Sequence, residues 1–231
     1  MKPLSSIRGV TFDAVGTLFF PSPSVGAIYS EVMENFGLNL APNVLDAAFI
    51  TSLRLAEKDW SIEDPNRREW DFWRSLVAKV VQDLAELPEN FDDLFHTLWN
   101  EFAKGSRWEL NSEALATFDF LESRGIKIAL LTNWDSRVRN VVTDHNLDSR
   151  FCHLFISSEV GFEKPDRRIF EFASLEIGMQ PRELLHVGDH LSQDYQGASD
   201  SRWHALLLST SPDRKSNIPV IRDLLEIREY V

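Results

Sequence analysis

Cysteine is almost absent: the 231 residues include only Cys152. One cysteine cannot form an intrachain disulfide or a cysteine metal cluster, and such sparse use is typical of a reducing compartment. Long apolar runs are also missing, since none approaches the ~20 residues that a membrane span requires. The first residues lack the apolar stretch of a secretory signal. We therefore expect a cytoplasmic protein with no membrane-spanning segment.

Basic residues are scarce relative to acidic ones. The chain has 24 Lys and Arg against 36 Asp and Glu, a formal net charge of −12. Nucleic-acid binding depends on Lys and Arg that neutralise phosphates, so this composition argues against a general nucleic-acid binder. A small anionic ligand is compatible with this negative net charge, because a metal ion and a few local cations can make the electrostatic field inside one cleft positive.

Five short apolar runs, each bounded by Gly, Asp or Asn, have the pattern of buried parallel strands. They are 9–12, 126–131, 154–156, 184–187 and 203–208. Helical patterns separate the later strands, at 112–124, 136–146, 165–177 and 193–199. This alternation predicts an α/β fold in which helices cover both faces of a parallel sheet. Strand alternation points His186 into the sheet as a hydrogen-bonded core residue.

A helical segment of roughly eighty residues interrupts the alternation after the first strand. It opens with a turn-rich joint at 21–24, and Pro65 and Pro88 mark breaks within it. The predicted helices are 24–36, 41–60, 66–81 and 90–103. We expect an α/β domain made of 1–20 and 104–231, with 21–103 as an inserted helical domain.

Polar residues follow four of the predicted strands at their C-terminal ends. They are Asp13 with Gly16 and Thr17, then Thr132 with Asn133, then Lys164, and finally Asp189 with Asp194. Each residue alone is typical of a helix cap, a turn or a solvated loop. Because open α/β sheets bind ligands outside the carboxyl ends of their strands, four such clusters together indicate one active site.

These residue types suit phosphoryl transfer through an aspartyl intermediate. Asp13 supplies a nucleophilic carboxylate, a hydroxyl and an amide hold the nonbridging oxygens, and a lysine offsets developing charge. The other carboxylates suit a hard cation, and Mg²⁺ prefers such an oxygen-only site. The chemistry predicts a small phosphorylated substrate and Mg²⁺ as cofactor.

In their order along the chain, these motifs resemble those of the haloacid dehalogenase superfamily of hydrolases. The matching segments are 13–18, 131–133, 164–166 and 188–189 followed by Asp194. The resemblance covers almost the whole chain and implies a Rossmann-like core with three α/β/α layers. It also implies that the helical insert is the family's first type of cap, which closes over the cleft and selects the substrate.

The resemblance further implies how the metal is held. Asp13 would be both the nucleophile and a Mg²⁺ ligand, with the backbone carbonyl of Val15 as a second ligand. Asp189 would bind the metal directly. Asp194 would act on it through a bound water, or would orient Lys164.

Substrate contacts are implied in the same way. Thr132 and the amide of Asn133 would hold the phosphoryl oxygens, and Lys164 would bridge these oxygens to the nucleophile. Gly16 and Thr17, in the loop after the nucleophile, complete the predicted substrate-binding set.

One position departs from the family's phosphatases. Those enzymes usually carry a second aspartate two residues after the nucleophile, as general acid and base, and this chain has Val15 there. Valine cannot transfer a proton, and such catalysis is worth about 10²–10⁴-fold in rate. The explanations left open are a substrate with a good leaving group, a base supplied by the cap, slow residual activity, or a different reaction.

The main alternative is a 2-haloacid dehalogenase, because carbon–halogen cleavage needs no acid on the leaving group. Dehalogenases of this superfamily also lack the second aspartate. They need no metal, however, and they resemble Ser-Asn-x-x-Asp where this chain has Gly188 and Asp189.

Two further alternatives follow from Val15. Phosphonatase-like cleavage needs a Schiff-base lysine in the cap, where the insert offers Lys58, Lys79 and Lys104. A catalytically weak binding protein would explain the missing aspartate, but it gains nothing evident from a complete nucleophile and metal set.

Overall fold

The computed structural model describes residues 7–210 and 218–231. Its strands are β1 (Gly9–Phe12), β2 (Phe19–Pro21), β3 (Trp108–Leu110), β4 (Lys127–Thr132), β5 (His153–Ile156), β6 (Leu184–Gly188), β7 (His204–Leu208) and β8 (Val220–Ile221). Its α-helices are α1 (Val25–Glu34), α2 (Pro42–Leu55), α3 (Pro65–Gln82), α4 (Phe91–Glu101), α5 (Ala114–Ser123), α6 (Val138–Asp144), α7 (Ser157–Val160), α8 (Arg167–Ile177) and α9 (Gly197–Asp200). A π-helical segment at Leu191–Gln196 leads into α9.

Six parallel strands form the main sheet, in the order β5-β4-β1-β6-β7-β8. The first strand lies in the middle, where Phe12 is in register with Leu130 of β4 and Val187 of β6. The C-terminal ends of β4, β1 and β6 are therefore level. The predicted α/β fold with a Rossmann-like parallel sheet is confirmed, and the strand order reverses at β1, where such sheets bind ligands.

Helices pack on both faces of this sheet. On one face, the rings of Phe12 and Phe118 of α5 lie with their centroids 5.5 Å apart. Side chains alternate along a strand, so Leu131 of β4 points to the other face, where it joins Ile169 and Phe170 of α8 in a buried cluster. Both faces of the sheet are therefore buried, which explains the nearly continuous apolar runs of these strands.

The predicted strand 9–12 coincides with β1, and the other four predicted runs overlap β4 to β7. The predicted helix 41–60 ends earlier, because α2 stops at Leu55. Pro65 is the first residue of α3, where its missing N–H costs no hydrogen bond, and Asp64 caps the helix through its side chain. The short strands β2, β3 and β8 have no periodic pattern and were not predicted.

The chain divides into two compact units. The first contains the described residues of Met1–Phe20, Leu110–Ser136 and Asn146–Val231, and includes the six-stranded sheet. The second contains Pro21–Glu109 and Arg137–His145. The predicted assignment of these parts to a catalytic domain and a cap stays a prediction.

Helices α1 to α4 make up most of the second unit, around one apolar cluster. Its central members include Tyr29, Met33, Leu45, Val80 and Leu94. Helix α6 also belongs to this unit. At its C-terminal end, the Asp144 carboxylate accepts a hydrogen bond from the N–H of Gly105, and Nε2 of His145 bonds the carbonyl of Trp108. Within the described ranges, no helix combines the length and apolarity needed to cross a membrane.

Candidate active site

Three predicted site residues lie at the level ends of the central strands. Asp13 directly follows β1, Thr132 is the last residue of β4, and Asp189 directly follows β6. Asp13 and Thr132 are buried, whereas Asp189 is exposed. All three belong to the first unit. The parallel register alone therefore brings the predicted nucleophile between a hydroxyl and a second carboxylate.

Lys164 links the clusters, and its side chain is almost completely buried. Its Nζ donates to Oδ1 of Asp13 at 2.7 Å, to Oδ1 of Asp194 at 2.6 Å and to the carbonyl of Leu131 at 2.9 Å. An ammonium group has three N–H donors, so these bonds use all of them. Burying an unpaired charge would be very costly, and this complete pairing offsets that cost.

The main chain of Lys164 is held by Asn133. The Asn133 side chain donates through Nδ2 to the Lys164 carbonyl at 2.8 Å and accepts through Oδ1 from its N–H at 2.7 Å. The Asn133 side chain therefore orients the lysine loop. The role predicted for the amide of this residue in holding a phosphoryl oxygen stays a prediction, as do those of the Thr132 hydroxyl and the Val15 carbonyl.

Asp13, Asp189 and Asp194 form a group that could hold a metal ion. Each offers a carboxylate oxygen, and the three oxygens lie within 4.8 Å of one another. Asp189 approaches the loop after β1 closely, since a Cβ built on Gly16 would stand 2.5 Å from its Oδ2. Thr17, predicted to bind substrate, donates its hydroxyl to Oδ1 of Asp189 at 3.4 Å.

Asp194 is held from several sides. Its Oδ1 accepts from Lys164 and lies 3.1 Å from Nε2 of His186, and its Oδ2 accepts from the N–H of His190 at 2.8 Å. A Cβ on Gly188 would overlap this carboxylate, so only glycine leaves room for it. The prediction that His186 is a hydrogen-bonded core residue is confirmed.

The buried charges shift each other's protonation. Burial raises the pKa of Asp13 from 3.8 to about 7, with Lys164 opposing and Asp194 reinforcing the change. Burial also tends to raise the pKa of Asp194, but the charge of Lys164 and the hydrogen bond from His186 hold it below the ordinary value. Burial disfavours the charged form of Lys164, yet Asp13 and Asp194 raise its pKa overall. Asp194 and Lys164 thus form a stable ion pair beside a titratable Asp13.

This donor set fits a divalent oxygen-seeking cation. Three carboxylates against one ammonium leave two negative charges when all four groups are ionised, and a divalent ion balances them. Partial loss of solvent around its carboxylate and then the charge of Asp194 raise the pKa of Asp189, as expected for carboxylates that lie close together. Mg²⁺ is usually bound by one or two carboxylates together with water and substrate oxygens, so the donors suit it.

Thr11 was missed by the sequence reasoning. Thr11 is in register with His186, and its hydroxyl lies 2.8 Å from Nδ1 of that ring. Pairing of the first strand with the fourth could have suggested this contact, but the sequence alone does not specify which strands are neighbours.

The family model for haloacid dehalogenase-like hydrolases matches residues 7–201 of this chain. Two relatives match along most of their length. A hydrolase of Schizosaccharomyces pombe is 30% identical over 88% of this chain and 91% of its own. Human haloacid dehalogenase-like hydrolase domain-containing protein 3 is 28% identical over 94% of this chain and 86% of its own.

Solved structures share the fold. The HAD-hydrolase YfnB from Bacillus subtilis, solved bound to magnesium, superposes with a TM-score of 0.75 at 18% identity, over 96% of each chain. Other structural neighbours include a phosphatase and 2-haloacid dehalogenases. At this level of identity, the likeness shows a common fold and does not identify the reaction.

Proposed function

Because this chain belongs to the haloacid dehalogenase-like hydrolase family, we propose that it is a Mg²⁺-dependent phosphatase with Asp13 as its nucleophile. The observation that carries the proposal is the position of Lys164 Nζ, which bonds both Asp13 and Asp194 beside a third carboxylate. The substrate would be a small phosphorylated molecule, and we place the reaction in the cytoplasm.

The reaction would proceed in two balanced steps. An oxygen of Asp13 attacks the phosphorus atom, a P–O bond forms, and the bond to the leaving oxygen breaks with its electron pair. Water then attacks the phosphorus of the aspartyl phosphate, and the P–O bond to Asp13 breaks with its electron pair, which frees the carboxylate. The protons of the water leave on the released inorganic phosphate or pass to solvent. This path divides one difficult displacement into two easier ones.

Lys164 would orient Asp13 and offset charge on the phosphoryl group. Its ammonium already bonds Oδ1 of Asp13, so it limits rotation of the nucleophile before substrate arrives. The Thr132 hydroxyl and the backbone amide of Asn133, at the adjacent strand end, would hold two nonbridging oxygens. Gly16 and Thr17 would line the other side of the same pocket.

The carboxylates of Asp13, Asp189 and Asp194, with the backbone carbonyl of Val15, would hold Mg²⁺ directly or through water. When bound, the ion offsets the repulsion between an anionic nucleophile and an anionic phosphate. Asp194 would act mainly as an outer partner, because its Oδ1 already accepts from Lys164 and lies next to His186.

The Val15 side chain limits which substrates react well. It is exposed and apolar, and it stands two residues after Asp13, where the family's phosphatases usually carry the general acid. A leaving group that is a weak base needs no such proton. The proposed substrate class is therefore an acyl phosphate, which is a mixed anhydride, or a phosphate ester with a weakly basic leaving group.

The test is phosphate release from acetyl phosphate by the wild type and Asp13→Asn, with Mg²⁺ and with EDTA. We expect activity that needs both Mg²⁺ and Asp13. Asp119→Asn is the matched control, because it neutralises an exposed aspartate of the same unit that pairs with Arg150. Equal release from Asp13→Asn and Asp119→Asn would refute the proposal.

A second candidate, 2-haloacid dehalogenation, is favoured only by Val15, because halide departure needs no acid. The acidic cluster argues against it, since a carbon–halogen displacement does not need three carboxylates around a cation. Halide release from 2-chloropropionate that EDTA leaves unchanged would establish this reaction instead.

A further inference from the structure

His186 is fully buried and connects the site to the interior of the sheet. Its Nδ1 lies 2.8 Å from the hydroxyl of Thr11 on β1, and its Nε2 lies 3.1 Å from Oδ1 of Asp194. Thr11 and His186 are directly paired in the parallel register, so their side chains share one face of the sheet. Three residues therefore form one continuous buried line of hydrogen bonds that ends at Lys164.

The partners of the ring determine where its proton lies. The Asp194 carboxylate accepts hydrogen bonds from Lys164 and from the N–H of His190, as an ionised group does. An ionised carboxylate only accepts, so Nε2 of His186 must carry the hydrogen that it shares with Asp194. The buried Thr11 hydroxyl has Nδ1 of this ring as its hydrogen-bond partner, and a hydroxyl can donate only to a ring nitrogen that carries no hydrogen. Nδ1 is then bare and accepts from the Thr11 hydroxyl.

We propose that Thr11 and His186 are positioning residues for the lysine of this site. Thr11 holds the His186 ring through Nδ1, His186 holds the Asp194 carboxylate in one orientation, and Asp194 with Asp13 fixes the ammonium of Lys164. This inference rests on the proposed function, because it assigns a purpose to the geometry around Asp13 and Lys164.

The space around Asp194 supports this role. Gly188 lies two residues after His186 on the same strand, and a Cβ there would overlap the carboxylate. On this strand, Gly188 leaves space for the Asp194 carboxylate, and His186 donates a hydrogen bond to it. A carboxylate without the donor would keep its space but lose one of the contacts that define its rotation.

A role in packing alone makes a different prediction. The His186 ring contacts Phe170 of α8 edge-on, with centroids 5.8 Å apart, and that contact does not need the Thr11 hydroxyl. The chain offers a matched control in α5, where the buried hydroxyl of Thr117 has no hydrogen-bond partner among the described residues. Thr11→Val and Thr117→Val make the same chemical change, but only the first removes a contact to His186.

The experiment compares the wild type, Thr11→Val, Thr11→Ser and Thr117→Val as full-length proteins. Nitrogen-15 NMR of the six histidine rings, without Mg²⁺, reports which ring nitrogen carries the hydrogen. We expect His186 to be protonated at Nε2 in the wild type, with its Nδ1 signal displaced in Thr11→Val and restored in Thr11→Ser. With Mg²⁺ and acetyl phosphate, we expect kcat to fall by about tenfold or more in Thr11→Val, because small misplacements of reacting groups are costly. Thr11→Ser should recover it, and Thr117→Val should match the wild type in both measurements.

Two results would overturn the inference. One is a wild-type His186 ring protonated at Nδ1 or at both nitrogens, a result that needs no variant to fold. The other is a Thr11→Val protein that matches Thr117→Val in ring signals and in kcat. If the wild type releases no phosphate, the proposed function fails, and the ring signals still decide whether Thr11 holds the His186 ring through Nδ1.

Discussion

Asn133 and Lys164 hold each other through two hydrogen bonds, in which the Asn133 side chain both donates to and accepts from the Lys164 main chain. The pair joins the loop after β4 to the loop between α7 and α8, although the two residues are 31 positions apart. The Lys164 side chain extends from this second loop to Asp13. By holding the Lys164 main chain, Asn133 fixes the backbone position from which that side chain extends.

Removing this pair should impair the site without touching the proposed nucleophile. In Asn133→Ala, the backbone amide stays but both side-chain bonds are lost, so we expect kcat/KM to fall by about 10- to 100-fold. The free energy of unfolding should fall by about 1–3 kcal/mol, because Lys164 main-chain groups lose their partners. Phosphate release and urea unfolding measure the two effects. Asn140→Ala, an exposed change in α6, is the control, and an equal loss there would contradict the assignment.

Gly16 should be required for the placement of Asp189 as well as for its own backbone conformation. Its φ is +90°, and a Cβ would stand 2.5 Å from the Asp189 carboxylate. Gly125 has a similar φ of +70°, with no atom within 4 Å of the equivalent position. Gly16→Ala and Gly125→Ala therefore share the backbone strain, but only the first displaces a carboxylate.

We expect Mg²⁺ affinity, measured by calorimetry, to fall by about tenfold or more in Gly16→Ala, as for loss of a supporting contact in other metal sites. Gly125→Ala should lose stability and keep its Mg²⁺ affinity. Equal Mg²⁺ affinities in the two variants would show that Asp189 does not contribute to Mg²⁺ binding.

Replacing Val15 should add the missing proton donor. The side chain is 42% exposed, so an aspartate there avoids the cost of a deeply buried charge. In Val15→Asp, we expect kcat/KM for an alkyl phosphate to rise by about 10- to 100-fold, within the usual range for general acid catalysis. Acetyl phosphate should gain much less, because its leaving group needs no proton.

Val15→Asn is the matched control for this change, since it has similar size and polarity but transfers no proton. Parallel assays on the alkyl phosphate and on acetyl phosphate give the comparison. A rise shared by both variants, or by both substrates, would show that Val15 does not limit leaving-group protonation.

Asp13 should make the metal-free protein less stable as pH rises. Its pKa is raised to about 7 in the folded protein, against an ordinary value of 3.8. Between these values the folded state binds more protons than the unfolded state, so the free energy of unfolding decreases with pH. The shift corresponds to at most about 4 kcal/mol.

Urea unfolding in EDTA, from about pH 5 to about pH 8, measures this effect. The wild type should lose stability relative to Asp13→Asn across that range, because asparagine does not titrate. A difference between the two proteins that stays constant with pH would show that Asp13 is already ionised at pH 5.

Sequence patterns located the strands that carry the site, because strands buried on both faces are apolar throughout and end at polar residues. The run 9–12 became β1 without change, and Asp13 follows it as expected. Periodicity was less informative where elements are very short, so β8 was missed. Helix α6 falls within the predicted domain segment 104–231, and in the structure it groups with the second compact unit.

The sequence by itself determined the α/β class, the kinds of side chain at the strand ends and the absence of a proton donor at Val15. These properties are local, because they depend on residue type and spacing along one segment. Only the tertiary structure decided that Lys164 bonds both Asp13 and Asp194, and that Thr11 contacts His186. Those contacts depend on which strands are neighbours and on their register, and both are set by packing over the whole sheet rather than by any single segment.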